Sequence, residues 1–233
     1  EYARSFFPVI LAVLVLRSFV IEPFRIPSGS MMPTLLVGDF ILVNKWSYGL
    51  KWPVTDEQFL AVGDPERGDV VVFVDPGGWL PTGLANEDDP LSTLFNWVSV
   101  RLGMPDQSGA NHLIKRVIGL PGDTVACCDP LGSTTVNGVP LKEDYLRLPE
   151  GVSEASGTSF SVKVPDNSLW VMGDNRYNSA DSRANLSKPG GGFVPIDNVV
   201  GRAIVVSWPA EHWSWLDNYP DVFNGIPEGT DSQ

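Results

Sequence analysis

Histidine is nearly absent from this chain: His112 and His212 are the only two in 233 residues. A Ser–His hydrolase therefore has no evident base, and neither histidine is expected to act catalytically. Cysteine is as scarce, with Cys127 and Cys128 adjacent. There is no Cys-x-x-Cys pair and no His/Cys cluster, which argues against a structural zinc site. A disulfide between neighbours closes a small strained ring, so two free or buried thiols are expected. Basic residues are few, 16 against 28 acidic for a net charge of −12. That balance argues against nucleic acid as a partner. Charged residues make up only 19% and hydrophobic residues 43%, which excludes general disorder. Long apolar runs are missing too. The longest, residues 6–16, is about 11 residues, whereas a spanning helix needs roughly 20.

What is plentiful is glycine (23) and proline (20). With few stretches of helical periodicity, they indicate a loop-rich, mainly β protein. The length suits one large domain or a main domain with a smaller insert. At the N-terminus, extending the apolar run through Arg17 to Ile21 gives a helix of spanning length, with Arg17 able to snorkel to the interface. Residues 1–24 are read as a membrane anchor. A buried core helix is the alternative, and a cleaved leader lacks its small-x-small site. The first residue is glutamate, which implies sequence upstream.

Strands are expected in "DFILVNKW", "RGDVVVFVDP" and "HLIKRVIGLPGD", the last closed by Pro121-Gly122-Asp123. Short strands follow in residues 123–141 around Asn137-Gly138, a hairpin signal, then in "FSVKVPDNSLWVMGDN" and "NVVGRAIVVSWP". The segment 77–111 breaks this pattern. It is rich in glycine, proline and acid, and Leu91, Leu94, Phe95, Val98 and Leu102 fall on one helical face. It reads as an insertion with a short amphipathic helix, packed on the core or on a membrane surface. The expected division is anchor 1–24, catalytic core 25–76 and 112–126, insertion 77–111, smaller β subdomain 127–165, core again 166–210, and tail 211–233.

Three segments could carry chemistry. "PSGSMMPTL" places Ser28 and Ser30 between restrictive prolines, with Gly29 permitting close approach. Ser30 could attack a carbonyl while its own N–H and the Ser28 hydroxyl hold the oxyanion. Lys115 shares a strand face with Leu113 and Val117. Burial there would disfavour its ammonium form and lower its pKa, whereas an edge position would let it snorkel to water. Finally, "GDNRYNSADSR" (173–183) holds two aspartates, two arginines, two asparagines and two serines. Such density suits a network that orients other groups, with Asp174, Asn175 and Arg176 in it and Asp181 and Arg183 as a clip.

Together, "PSGSMMPTL", "RGDVVVF", "KRVIGLPGD" and "GDNRYNSADSR", followed by "GGFVPIDNVVGRAIVVSWP", resemble in order the conserved boxes of the type I bacterial signal peptidases. The resemblance covers roughly 90 residues in blocks along the chain. It implies an antiparallel β catalytic core with an N-terminal transmembrane helix and a smaller inserted β subdomain. It further implies Ser30 as nucleophile and Lys115 as general base, with Ser28 beside the Ser30 N–H in the oxyanion hole. Ser179 would orient the Lys115 amine, and Asp181 with Arg183 would form the supporting salt bridge. The implied activity is removal of signal peptides from exported preproteins, with cutting after small residues, at the extracytoplasmic face of the bacterial cell membrane. No cofactor or metal is implied. Phe24, Ile26, Met31, Met32 and Leu35 are candidate walls of the substrate cleft, and Trp208, Trp213 and Trp215 could touch membrane lipid. Two other readings share some of these features: a self-cleaving Ser–Lys protease of the repressor type, and an inactive membrane-tethered β binding module. The N-terminal apolar segment and the box after the lysine argue against the first; the presence of both dyad residues argues against the second.

Overall fold

The structure is a computed structural model that describes residues 7–9, 20–51, 58–60, 62–80 and 112–229. Its strands are β1 (Ile21–Arg25), β2 (Phe40–Asn44), β3 (Leu50–Lys51), β4 (Gln58–Leu60), β5 (Val70–Val74), β6 (His112–Gly119) and β7 (Thr124–Cys127). They continue with β8 (Thr135–Val136), β9 (Val139–Pro140), β10 (Phe160–Lys163), β11 (Ser168–Met172), β12 (Val194–Pro195), β13 (Val199–Trp208) and β14 (Ser214–Trp215). All pairings are antiparallel, so the protein is mainly β. The main sheet runs β1-β2-β13-β5-β6-β11-β12, with β14 beside β13. A four-stranded sheet runs β10-β7-β8-β9, and β3 pairs with β4.

The central strands show why the sheet forms. β5, "VVVFV", is buried along nearly its whole length, as a strand covered on both faces must be. Its side chains divide by the period of two. Val70 and Val72 pack with Ile26, Met31, Leu35, Ile41, Val43 and Ile114. Val71 and Phe73 pack with Val117, Leu169, Val171 and Val199. Burying one such side chain contributes roughly 1.5–3 kcal/mol. A third cluster joins Ile118, Trp170 and Met172 to Val125, Val136 and Phe160 of the four-stranded sheet. That sheet turns at Asn137-Gly138, both with positive φ (51° and 80°), as a two-residue hairpin requires.

Several expectations change here. Ile21–Arg25, of which residues 21–24 were read as the end of the anchor, form a strand paired with β2. Pairing with β2 satisfies the backbone groups along one side of this edge strand, so the apolar run does not settle where the helix stops. Residues 7–9 are helical. Most of the expected anchor lies outside the described residues, and among the described residues no helix is long and apolar enough to cross a membrane. The amphipathic helix expected within 91–102 also lies outside them. The C-terminal segment is more than a tail, since Phe223 and Ile226 are buried in the third cluster. Cys127 and Cys128 are not free thiols. They are joined by a disulfide, with Cα atoms 2.9 Å apart.

Candidate active site

Ser30 lies in a single 3₁₀ turn, Gly29–Met31, entered from an extended Ser28. Residues of the 173–183 loop hold that turn by its backbone: the Asn175 N–H donates to Ser30 O (3.0 Å) and its side-chain amide to Gly29 O (2.9 Å). Gly173 is needed for this approach, because a Cβ there would overlap both Ser30 O and Ser179 Oγ. Sequence alone gives no sign of that contact beyond the glycine opening the loop.

Lys115 comes from the middle of β6, opposite Val71 of β5. Its Nζ donates to Ser30 Oγ at 2.8 Å and to Ile114 O at 2.7 Å. When the amine is neutral, the first contact reverses, and the Ser30 hydroxyl donates to the nitrogen lone pair. Both residues are buried, Ser30 at 7% exposure and Lys115 at 3%. Burial lowers the Lys115 pKa to about 8, against the opposing pull of the Asp181 and Asp174 carboxylates. About one amine in ten is then neutral at pH 7, a gain of roughly 300-fold over an ordinary lysine. Ser28 is exposed, and its hydroxyl makes a long contact with Ser30 Oγ (3.4 Å).

Three buried ion pairs brace this centre. Arg116 donates to both oxygens of Asp174 (2.9 and 2.8 Å), and Thr34 Oγ1 donates to Asp174 Oδ2 (2.6 Å). The residue after the lysine is thereby tied to the loop carrying Ser30. Asp181 accepts from Arg183 Nε (2.9 Å) and Nη2 (2.7 Å) and from the Gly173 N–H (3.0 Å). Arg176 pairs with Glu143 through both Nη atoms and donates to Thr134 Oγ1 (3.2 Å) and Gly173 O (3.2 Å). Thr34 and Glu143 are partners that the sequence reading missed. Thr34 lies inside the serine motif, whereas nothing local marks Glu143.

Some expected roles do not fit this geometry. Ser179 does not bond the Lys115 amine. Its Oγ is buried against Gly173 without a hydrogen-bond partner among the described residues, and Ile114 O takes the second amine contact. Of the five expected cleft residues, Met32 is 40% exposed and Phe24 half-buried. Ile26, Met31 and Leu35 are packed in the core and almost wholly buried. His112 packs on Phe24 (ring centroids 5.3 Å) and His212 Nδ1 meets Asp39 Oδ1 at 2.7 Å.

A hydroxyl held against a dry, partly neutral amine can do nucleophilic acyl transfer. The chain is also similar to known proteins. The family model described as "Signal peptidase, peptidase S26" matches residues 1–208. A curated signal peptidase I from Pseudomonas fluorescens is 40% identical over 95% of this chain and 78% of its own length. One from Mycobacterium tuberculosis (strain ATCC 25618 / H37Rv) is 39% identical over 91% of this chain and 74% of its own. A solved signal peptidase I from Enterococcus faecalis V583 is 26% identical, with a TM-score of 0.39, over 61% of this chain and 98% of that one.

Proposed function

Because the chain belongs to the signal peptidase family, peptidase S26, and is a serine endopeptidase that removes signal peptides, we propose that Ser30 is its nucleophile and Lys115 its general base. The observation that carries this reading is the 2.8 Å contact between Ser30 Oγ and a Lys115 amine buried to 3% exposure. Ser30 attacks the scissile carbonyl while neutral Lys115 takes its proton. The tetrahedral oxyanion is held by the Ser30 N–H and the Ser28 hydroxyl. Lys115 then protonates the leaving amine, and in the second half-reaction it deprotonates the water that hydrolyses the acyl-enzyme.

The substrate is an exported preprotein, lying extended against a strand edge and cut after a small residue. The enzyme works at a lipid surface on the extracytoplasmic side. Two features support the lipid surface. The apolar N-terminal segment leads into β1, and Trp208, Trp213 and Trp215 are more than half exposed, as indoles at a lipid interface are. The test is cleavage of a preprotein in detergent by the wild type, Ser30→Ala and Lys115→Ala. Both variants are expected to lose activity by at least about 10³-fold. Near-full activity in either would remove the dyad.

A further inference from the structure

Arg116, next to the proposed base, is fully buried. Its guanidinium faces two tyrosines that stack on each other (centroids 4.6 Å, 24° between planes), 4.5 Å from the Tyr145 ring and 5.1 Å from the Tyr219 ring. Neither tyrosine belongs to the segments that carry Ser30 or Lys115. Tyr145 follows the four-stranded sheet's last hairpin, and its hydroxyl donates to Glu143 Oε1 (2.5 Å), the partner of Arg176. Tyr219 comes from the C-terminal segment, whose Asp217 O accepts from Arg116 Nη1 (3.0 Å), alongside Gly68 O (2.7 Å). All three guanidinium nitrogens are thus directed: Nε and Nη2 to Asp174, Nη1 to the two carbonyls.

We propose that Tyr219 and Tyr145 are positioning residues of the active site, which fix Arg116 by its π-face contacts and so set the Ser30 loop and Lys115 relative to each other. The C-terminal segment then belongs to the catalytic unit. The path is continuous: the tyrosine pair holds Arg116, Arg116 holds Asp174, and Asp174 holds Thr34, four residues after Ser30. Arg116 is also the covalent neighbour of Lys115. A cation over an aromatic face gains from the ring quadrupole, most where water is excluded. This inference rests on the dyad reading above.

The arrangement has a consequence in pH. The charged and titratable groups around Arg116 are Asp174, Tyr145 and Tyr219, with Glu143, Arg176 and Asp217 behind them. Those acting on Lys115 are Asp181 and Asp174, and both favour its ammonium form. Arg116 neutralises Asp174. A loosened Arg116 leaves more of that negative charge acting on Lys115, so the amine holds its proton to higher pH.

The experiment uses the full chain in detergent with a preprotein substrate, comparing Tyr219→Phe, Tyr219→Leu and phenylalanines of increasing ring fluorination at position 219. Tyr219→Phe is expected to keep kcat within about twofold, because the ring face is kept. Tyr219→Leu is expected to lower kcat about fivefold near pH 7, in line with one cation–π contact. KM should stay unchanged, and the deficit should narrow as the pH is raised past the lysine's titration. Fluorination keeps the shape and weakens the ring face, so kcat should fall stepwise even if the leucine variant fails to fold. Equal kcat for Phe and Leu, a deficit constant with pH, a change confined to KM, or a flat fluorination series would each overturn the proposal. Activity in Ser30→Ala or Lys115→Ala would instead remove the dyad on which it rests.

Discussion

Lys115 Nζ and Ser30 Oγ, 85 residues apart in sequence, stand 2.8 Å apart inside the protein. Holding a lysine there has a thermodynamic cost that can be measured. Lowering its pKa from an ordinary 10.5 to about 8 costs the folded state about 3 kcal/mol while the amine is protonated. The sign follows from proton binding. Between pH 8 and 10.5 the unfolded chain binds more protons at this site than the folded one, so stability rises with pH there. Lys115→Met removes the burden. It should be more stable than the wild type below pH 8, by an amount that shrinks as the pH approaches 10.5. Denaturant titrations of both proteins at pH 7 and pH 10 check this.

Asp181 opposes that burial effect, since its carboxylate favours the Lys115 ammonium. Asp181→Asn removes the carboxylate and leaves Arg183 without its partner, and both changes disfavour the ammonium. The acid limb of the kcat/KM profile should therefore move to lower pH than in the wild type. A shift to higher pH would mean that Asp181 acts on the lysine by some route other than its charge.

Ser28 is exposed and, among the described residues, its side chain makes only the long contact to Ser30 Oγ, so removing its hydroxyl should leave folding unchanged. If that hydroxyl steadies the oxyanion, Ser28→Ala lowers kcat on the order of 100-fold with little change in KM. Steady-state kinetics on a preprotein or peptide give the answer. A loss confined to KM would place Ser28 in substrate binding instead.

Asp174 sits between Arg116 and Thr34, and its side chain and that of Arg116 are both wholly buried. Asp174→Ala would leave a guanidinium charge in the interior without its countercharge, with only the Gly68 and Asp217 carbonyls and the tyrosine rings beside it, a change that costs about 3–5 kcal/mol. For a chain of this size that lowers Tm on the order of 10 °C. Thermal unfolding measures it. A Tm within 2 °C of the wild type would mean that water or another group compensates the arginine.

Strands were legible in the sequence wherever their chemistry was local. Val70–Val74 and the apolar run around Lys115 announce buried strands, and Asn137-Gly138 announces its hairpin. Ile21–Arg25 did not, because a strand that continues an apolar run has the composition of the helix before it. Ile26, Met31 and Leu35 looked like cleft walls because they flank the serines, yet a loop must also bury residues to stay in place. The joining of Ser30 to Lys115 was not readable from either segment's own chemistry. Only the ordered family motifs connect them. The tyrosine pair and Glu143 had no local signal at all, since their meaning comes from where the four-stranded sheet and the C-terminal segment return to Arg116. Ser179 was assigned by motif, and its buried hydroxyl beside Gly173 makes no hydrogen bond to the lysine among the described residues.

The pH dependence of kcat/KM for the wild-type enzyme tests the central claim most directly, because it reports the essential base of the free enzyme. If Lys115, desolvated beside Ser30, is that base, activity should rise along one acid limb with a pKa near 8. A limb near 10.5 would contradict the dry lysine. One near 6.5, where histidines titrate, would contradict Lys115 as the base altogether.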